Sequence, residues 1–383
     1  MLIRNKTIIV ADENIEMLHE AFSGFGEIIA MPGREITPEI IRDADVLLIR
    51  SVTKADAALL EGSSVKFIGT ATIGTDHVDT EYLAKKGIVF TDAKGCNADA
   101  VAQYFITLYS KYIVENDRPS DLITGIIGAG NIGSRIKNFL EVFDKKYILN
   151  DPPLMEAGTT DFKFSSLKDA LSADIVTFHT PLVTSGAHPT LRLLNEHNIK
   201  YLKTGSYIIN SSRGEVAENK ALLDAITIFD SVISADVWEG EPDINIPLLG
   251  KSFTATPHVA GYSLEGKING TRILHEKLAR FLKTDPYFTP RLPKVENHLI
   301  EINSTLPTEE ILYRITRHIY DIDADTAKMK KLKFLAKEKR AGYFDDLRKN
   351  YSLRREFSNY NIKLTPYNSS LTDRLRALGF KVY

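Results

Sequence analysis

Cysteine, tryptophan and long apolar runs are what this chain of 383 residues has least of. Its one cysteine, Cys96, excludes an intramolecular disulfide and points to a reducing compartment, so a cytoplasmic location is expected. No apolar run approaches the ~20 residues that cross a bilayer, so no membrane partner is expected. The opening Met1–Lys6 leads straight into Thr7–Asp12, too short and too soon polar for a signal peptide, and none is expected. Internal repeats, low-complexity segments and zinc-finger spacings are missing, and no metal is expected. Hydrophobic residues at 43% and charged residues at 26% exclude a disordered or collagen-like chain.

The net charge of −2 conceals an asymmetry. Residues 287–383 hold 19 Lys+Arg against 12 Asp+Glu, and 8 of the 16 tyrosines, whereas residues 1–286 hold 29 against 38. The basic end suits the solvated face of a helical domain, contact with an acidic neighbouring subunit, or help with an anionic substrate. Nucleic acid is not expected as a partner, because no recognition motif accompanies the charge.

Short β-branched runs alternate with amphipathic stretches from residue 7 to about residue 257. Expected strands are Thr7–Ala11, Glu27–Ala30, Val46–Arg50, Lys66–Gly69 and Ile88–Thr91, with helices at Ile15–Phe25 and Asp79–Lys86. A long helix over Ala98–Val114 leads into a second series: Leu122–Ile127, Tyr147–Leu149, Ile175–Phe178, Ser206–Asn210, Val232–Ala235 and Phe253–Ala255. A last long helix, Leu264–Leu282, is expected to stop before Asp285-Pro286. Alternation on this scale predicts an α/β fold of βαβ units with parallel sheets covered on both faces.

Gly128, Gly130 and Gly133 form G-x-G-x-x-G between an apolar strand and a helical pattern at Ile132–Phe143. Such a turn lets a pyrophosphate approach the backbone at a helix N-terminus. Asp151, 23 residues after Gly128 at the end of the next strand, suits the adenosine ribose hydroxyls and repels a 2′-phosphate. NAD is therefore the expected cofactor. Gly128, Gly130, Asn131, Ile132, Gly133 and Asp151 are its candidate binding residues.

Three further strands end in polar segments: Asn210–Gly214, Asp236–Pro242 and Thr256–Gly261. Open α/β sheets bind ligands at strand C-termini. Arg213 offers a fork for a substrate carboxylate. His258 can take the hydroxyl proton during oxidation and return it during reduction. Glu241, bonded to the imidazole, would fix its tautomer and favour imidazolium. Singly, each has an ordinary use: a surface ion pair, a turn, a helix cap. Together, downstream of a nucleotide fingerprint, they form a dehydrogenase set.

The ordered Arg213, Glu241 and His258, with the fingerprint, resemble the D-isomer-specific 2-hydroxyacid dehydrogenases over roughly residues 7–286. A narrower branch of that family is matched by Arg50–Lys54, Gly69–Asp79, His179–Leu182 and Thr256–Lys267, with Ala-Gly-Tyr after the histidine its most specific string. The resemblance implies two Rossmann-like doubly wound parallel-sheet domains plus a smaller C-terminal α+β dimerisation domain. Its boundaries are 1–97 with 264–286 for substrate, 98–263 for NAD and 287–383 for the homodimer, with the active site in the cleft between the first two. The implied activity is NAD-linked oxidation of a small phosphorylated hydroxy acid, 4-phospho-D-erythronate, to (R)-3-hydroxy-2-oxo-4-phosphobutanoate on the route to pyridoxal 5′-phosphate. Arg213, Glu241 and His258 would be catalytic, and Ser51, Thr72 and Tyr262 would touch substrate. Thr180, Asp236 and Gly261 would join Asp151 at NAD. The alternatives are another D-2-hydroxy acid such as 3-phosphoglycerate, or an NAD-sensing regulatory protein. Arg348, Arg354 and Arg355 are candidates for reaching a partner subunit's phosphate site, and spacing does not choose among them.

Overall fold

A computed structural model describes residues 6–284, 287–352 and 354–383. Residues 1–5, 285, 286 and 353 lie outside these residues; the long helix expected over Leu264–Leu282 stops at Leu282, with Lys283 as its left-handed cap. Contacts divide the chain into two compact units, Met1–Asn97 with Ser263–Pro293, and Ala98–Tyr262 with Lys294–Tyr383.

In the first unit, β1 (Thr7–Asp12), β2 (Gly26–Met31), β3 (Val46–Ile49), β4 (Phe67–Thr70) and β5 (Val89–Asp92) form one parallel sheet in the order β2-β1-β3-β4-β5. Every residue of β3 and β4 is buried, as befits strands covered on both faces. The helix Leu264–Leu282 covers one face, setting Leu274 and Leu278 against Ile9, Leu48 and Phe67. The helix expected over Ile15–Phe25 shortens to Leu18–Phe22, because Met17 ahead of it takes a left-handed backbone at φ +54°.

The second unit repeats the design with one strand more. Its strands are β6 (Thr124–Ile127), β7 (Tyr147–Asn150), β8 (Ile175–Phe178), β9 (Tyr207–Asn210), β10 (Val232–Ala235) and β11 (Thr254–Ala255). They run parallel in the order β11-β10-β9-β8-β6-β7. Strand order reverses beside β6, which makes the crevice where such sheets take nucleotides.

Residues 294–383, expected as part of a separate domain, cluster with residues 98–262. Their sheet, β12 (Leu299–Asn303), β13 (Asn361–Thr365) and β14 (Lys381–Val382), is parallel as well. Ile311, Leu312 and Ile315 of the helix Thr308–Ile319 share a core with Phe105, Leu108 and Tyr109 of the helix Ala98–Glu115. Met329, Leu332 and Phe344 join a second core with Trp238, Leu248 and Ala255. Burying an aromatic such as Phe344 stabilises by roughly 1.5–3 kcal/mol, so this attachment is a firm one.

Candidate active site

Strand register puts the candidate residues at one edge of the second unit. Asn150, Ile127, Phe178, Asn210, Ala235 and Ala255, the last residues of their strands, pair in a single row. Asp151, Gly128 and Asp236 follow that row by one residue, Thr180 by two, and Arg213 and His258 by three. Crossing the sheet from β7 to β11 therefore meets Asp151, the glycine turn, Thr180, Arg213, Asp236 and His258 in that order.

Within the glycine turn, Gly128 has φ +92°, and a Cβ there would come 2.8 Å from the His179 backbone. A Cβ on Gly133 would meet the Gly128 carbonyl at 2.0 Å, so turn and helix pack too closely for any side chain. Gly130 is different: it is exposed, and its Cβ would meet nothing within 4 Å. It precedes the helix Asn131–Val142, where Asn131 and Ile132 form the first turn. The open face at that N-terminus fits a dinucleotide pyrophosphate. Asp151 accepts from the Ala129 N–H at 2.8 Å and from the Leu154 N–H at 3.0 Å, so it ties the turn to the following helix. The Thr180 hydroxyl is buried with no partner among the described residues, as a ligand-facing group would be. NAD thus fits the residues present.

Beside it, His179 is buried, with Nε2 2.8 Å from the Thr177 hydroxyl. Burial alone pushes its pKa down to about 3, so it stays neutral.

Asp236 organises the His258 loop. Its carboxylate accepts from the Thr256 hydroxyl at 2.6 Å, the Val259 N–H at 2.7 Å and the Ala260 N–H at 2.9 Å. Thr256 gives its only proton to that carboxylate, so the Tyr104 hydroxyl, 2.8 Å away, donates to Thr256. The Trp238 indole N–H donates to the Thr256 carbonyl at 3.0 Å. Held this way, His258 sits at φ +58°, a left-handed conformation that costs a non-glycine residue about 1–2 kcal/mol. Its Nδ1 lies 2.8 Å from Glu241 Oε1. The imidazole side chain remains 31% exposed against 17% for Glu241, so Nε2 is the nitrogen left for a reacting group.

Arg213 leaves β9 half-buried, with Nη1 donating to the Ser212 carbonyl at 2.8 Å. Gly261 and Tyr262 close the loop through a Tyr262 N–H to Val259 carbonyl bond of 2.9 Å. The first unit carries Ser51 and Thr72, just past the ends of β3 and β4. Thr72 is bonded to Thr70 at 2.7 Å and donates to the Gly74 carbonyl at 2.9 Å, while Ser51 is exposed. Lys54 is occupied in an exposed pair with Asp56.

Sequence reasoning did not connect Lys267 with Arg50 and could not place Arg348 or Arg354. In the first unit, burial and the like charge of Arg50 push the Lys267 ammonium below its ordinary pKa. Lys267 stands in the quoted loop string, yet nothing in its spacing reveals Arg50. In the second unit, the C-terminal segment grips the His258 loop of its own chain. Arg354 donates to the carbonyls of Val259 and Ala260 and stacks on the Tyr320 ring at 4.2 Å. Arg348 reaches the Tyr262 hydroxyl at 3.5 Å, and Tyr351 meets the Tyr262 ring edge-on at 5.9 Å. The basic excess of residues 287–383 was the one signal pointing there. Among the described residues, no helix is long and apolar enough to cross a membrane.

Comparison with known proteins places the chain in a family. The model of the D-isomer specific 2-hydroxyacid dehydrogenase NAD binding domain matches residues 109–260, and a domain of unknown function matches 291–379. Erythronate-4-phosphate dehydrogenase of Marinobacter nauticus is 41% identical over 98% of this chain and 99% of its own. That of Shewanella oneidensis is 43% identical over 97% and 98%. Among solved structures, D-lactate dehydrogenase from Aquifex aeolicus superposes with a TM-score of 0.59 at 23% identity, over 72% of this chain and 96% of its own. The NAD-bound 3-phosphoglycerate dehydrogenase of Entamoeba histolytica gives 0.62 at 24%, over 75% and 99%, which shows a shared fold. With its NAD-binding domain and full-length relatives taken together, the chain belongs to the erythronate-4-phosphate dehydrogenase family of D-isomer specific 2-hydroxyacid dehydrogenases.

Proposed function

We propose that the chain oxidises 4-phospho-D-erythronate at C2 to (R)-3-hydroxy-2-oxo-4-phosphobutanoate, supplying vitamin B6 biosynthesis. The observation that carries a dehydrogenase reading is the Glu241–His258 pair at 2.8 Å, on the same sheet edge as Arg213 and the glycine turn. The full-length relatives' name supports the substrate.

Bound NAD would supply the acceptor for the hydride that leaves C2. His258 Nε2 takes the proton of the C2 hydroxyl, and Glu241 steadies the imidazolium that results. Arg213 binds the C1 carboxylate through its fork and polarises the C2 oxygen. Ser51, Thr72 and Tyr262 bind the rest of the substrate. Thr180, Asp151, Gly261 and the residues of the glycine turn hold the cofactor, and Asp236 shapes the nicotinamide end of the site through the 256–260 loop. A cytoplasmic homodimer joined through the C-terminal segment completes the proposal. Sedimentation of the full chain at twice its monomer mass supports the dimer, and a monomer at all concentrations removes it.

The test is NADH absorbance on 4-phospho-D-erythronate, with a 2-oxo acid added in parallel to reoxidise retained NADH, and 3-phosphoglycerate and D-glycerate in separate runs. Turnover on 4-phospho-D-erythronate alone supports the assignment. Preference for 3-phosphoglycerate keeps the chemistry and replaces the substrate. Binding of NAD without turnover of any hydroxy acid favours a regulatory protein.

A further inference from the structure

The solved 2-hydroxyacid dehydrogenases named above align over nearly all of their own length but only about three quarters of this chain. The excess is about the size of residues 294–383. That segment reaches the active-site loop through Arg348, Tyr351 and Arg354, which are not equivalent. Arg354 spends Nη2 on the Val259 and Ala260 carbonyls and stacks on the Tyr320 ring, its buried Nη1 having no partner among the described residues, and Tyr351 offers Tyr262 a ring edge. Among the described residues, Arg348 has one hydrogen-bonded neighbour, the Tyr262 hydroxyl at 3.5 Å, and its buried Nε has none.

Helix geometry fixes where Arg348 stands. It lies on the helix Lys337–Lys349, four residues after Phe344, so the two share a face one turn apart. Phe344 is fully buried in the core with Trp238 and Leu248. The anchor that holds the helix against the nucleotide-binding sheet therefore also delivers the guanidinium to Tyr262. A half-buried guanidinium that keeps a buried, unused N–H beside the active-site loop is a site for an anion.

Resting on the function proposed above, we propose that Arg348, contributed in cis by the C-terminal segment, binds the phosphate end of the substrate together with Tyr262 and sets specificity for a phosphorylated hydroxy acid. Arg213 answers the carboxylate, which leaves the dianionic phosphate as the group that needs a second guanidinium. The planar fork matches two phosphate oxygens. The competing role for Arg348 is that of counter-ion to Glu241, whose Oε2 is buried without a partner among the described residues.

The experiment compares full-length wild type, Arg348→Gln and Arg348→Lys on 4-phospho-D-erythronate against D-erythronate, and on 3-phosphoglycerate against D-glycerate. The expected result for Arg348→Gln is a KM for the phosphorylated acid raised at least about tenfold, with kcat within about threefold, and unchanged kcat/KM for the unphosphorylated acid. Arg348→Lys recovers part of the loss. Inorganic phosphate serves as a probe independent of turnover: it raises the melting temperature of wild type and does so less in Arg348→Gln. Equal losses on both members of each pair, or a displaced pH profile of kcat, assign Arg348 to Glu241 and overturn the proposal. Unchanged kinetics and an unchanged phosphate effect in a folded variant overturn it too. Wild type that prefers another phosphorylated acid removes the substrate assignment, while the ratio on that acid still decides the role of Arg348.

Discussion

His258 Nδ1 lies 2.8 Å from Glu241 Oε1, and the backbone that carries the imidazole is left-handed, at φ +58°. The pair occupies Nδ1 and leaves Nε2 as the open ring nitrogen. His258→Ala lowers kcat by about 10²–10⁴-fold, the usual weight of a positioned acid or base. Glu241→Gln keeps the shape, removes the charge and lowers kcat by about 10²-fold. NAD affinity, read by fluorescence titration, changes less than twofold in both. A Glu241→Gln enzyme with wild-type kcat contradicts this division of labour.

Asp236 accounts for the odd backbone of His258 by accepting from Thr256, Val259 and Ala260 at once. Asp236→Asn offers one acceptor oxygen and turns an N–H₂ toward groups that donate. Leaving buried donors unsatisfied costs about 1–3 kcal/mol each, so a stability loss of about 2–4 kcal/mol is expected. Urea unfolding at neutral pH measures it. A loss below about 0.5 kcal/mol shows that the loop does not depend on the carboxylate.

Two glycines of one motif separate ligand room from packing. Gly133→Ala drives a methyl into the Gly128 carbonyl and destabilises the fold by about 1–3 kcal/mol. Gly130→Ala meets no protein atom, so it melts like wild type yet weakens NAD at least about tenfold by standing where the pyrophosphate approaches. Calorimetry of NAD binding to Gly130→Ala decides it, and wild-type affinity would move the cofactor elsewhere.

His179 gives stability a pH dependence. Its folded-state pKa lies near 3 because of burial, whereas an unfolded histidine titrates near 6.5. Below that value the unfolded chain binds a proton that the folded chain refuses. The contribution is complete above about pH 6.5 and falls away toward about pH 3. Between about pH 7.5 and about pH 5 the wild type loses about 2 kcal/mol from this source. His179→Gln abolishes that part of the slope. Parallel slopes in urea titrations of the two proteins would show that His179 stays neutral without consequence.

The legible parts of this molecule were those whose signals are local. Ile175–Phe178 and Val232–Ala235, apolar but for Thr177 and Ser234, are runs as long as the strands they form. The glycine turn and the Arg213, Glu241 and His258 segments announce themselves at strand ends, where chemistry and chain order coincide. Asp236 reads in sequence as one more polar residue near the cofactor, because its bonds go to backbone N–H groups brought round by the 256–260 turn. Arg348 was beyond selection. Its place beside Tyr262, 86 residues away in sequence, is set by how Phe344 packs, and no period or motif encodes that. Met17 shortens its helix for a similar reason: a left-handed residue is a property of the folded backbone.

The most direct test of the account follows the hydrogen at C2. 4-Phospho-D-erythronate carrying deuterium at C2 is incubated with the full chain and NAD, and the reduced cofactor is analysed by mass spectrometry. The account predicts one deuterium in each reduced nicotinamide formed, with a matching yield of the 2-oxo acid and almost none from His258→Ala. Unlabelled NADH, or an untouched substrate under conditions where NAD binds, contradicts it.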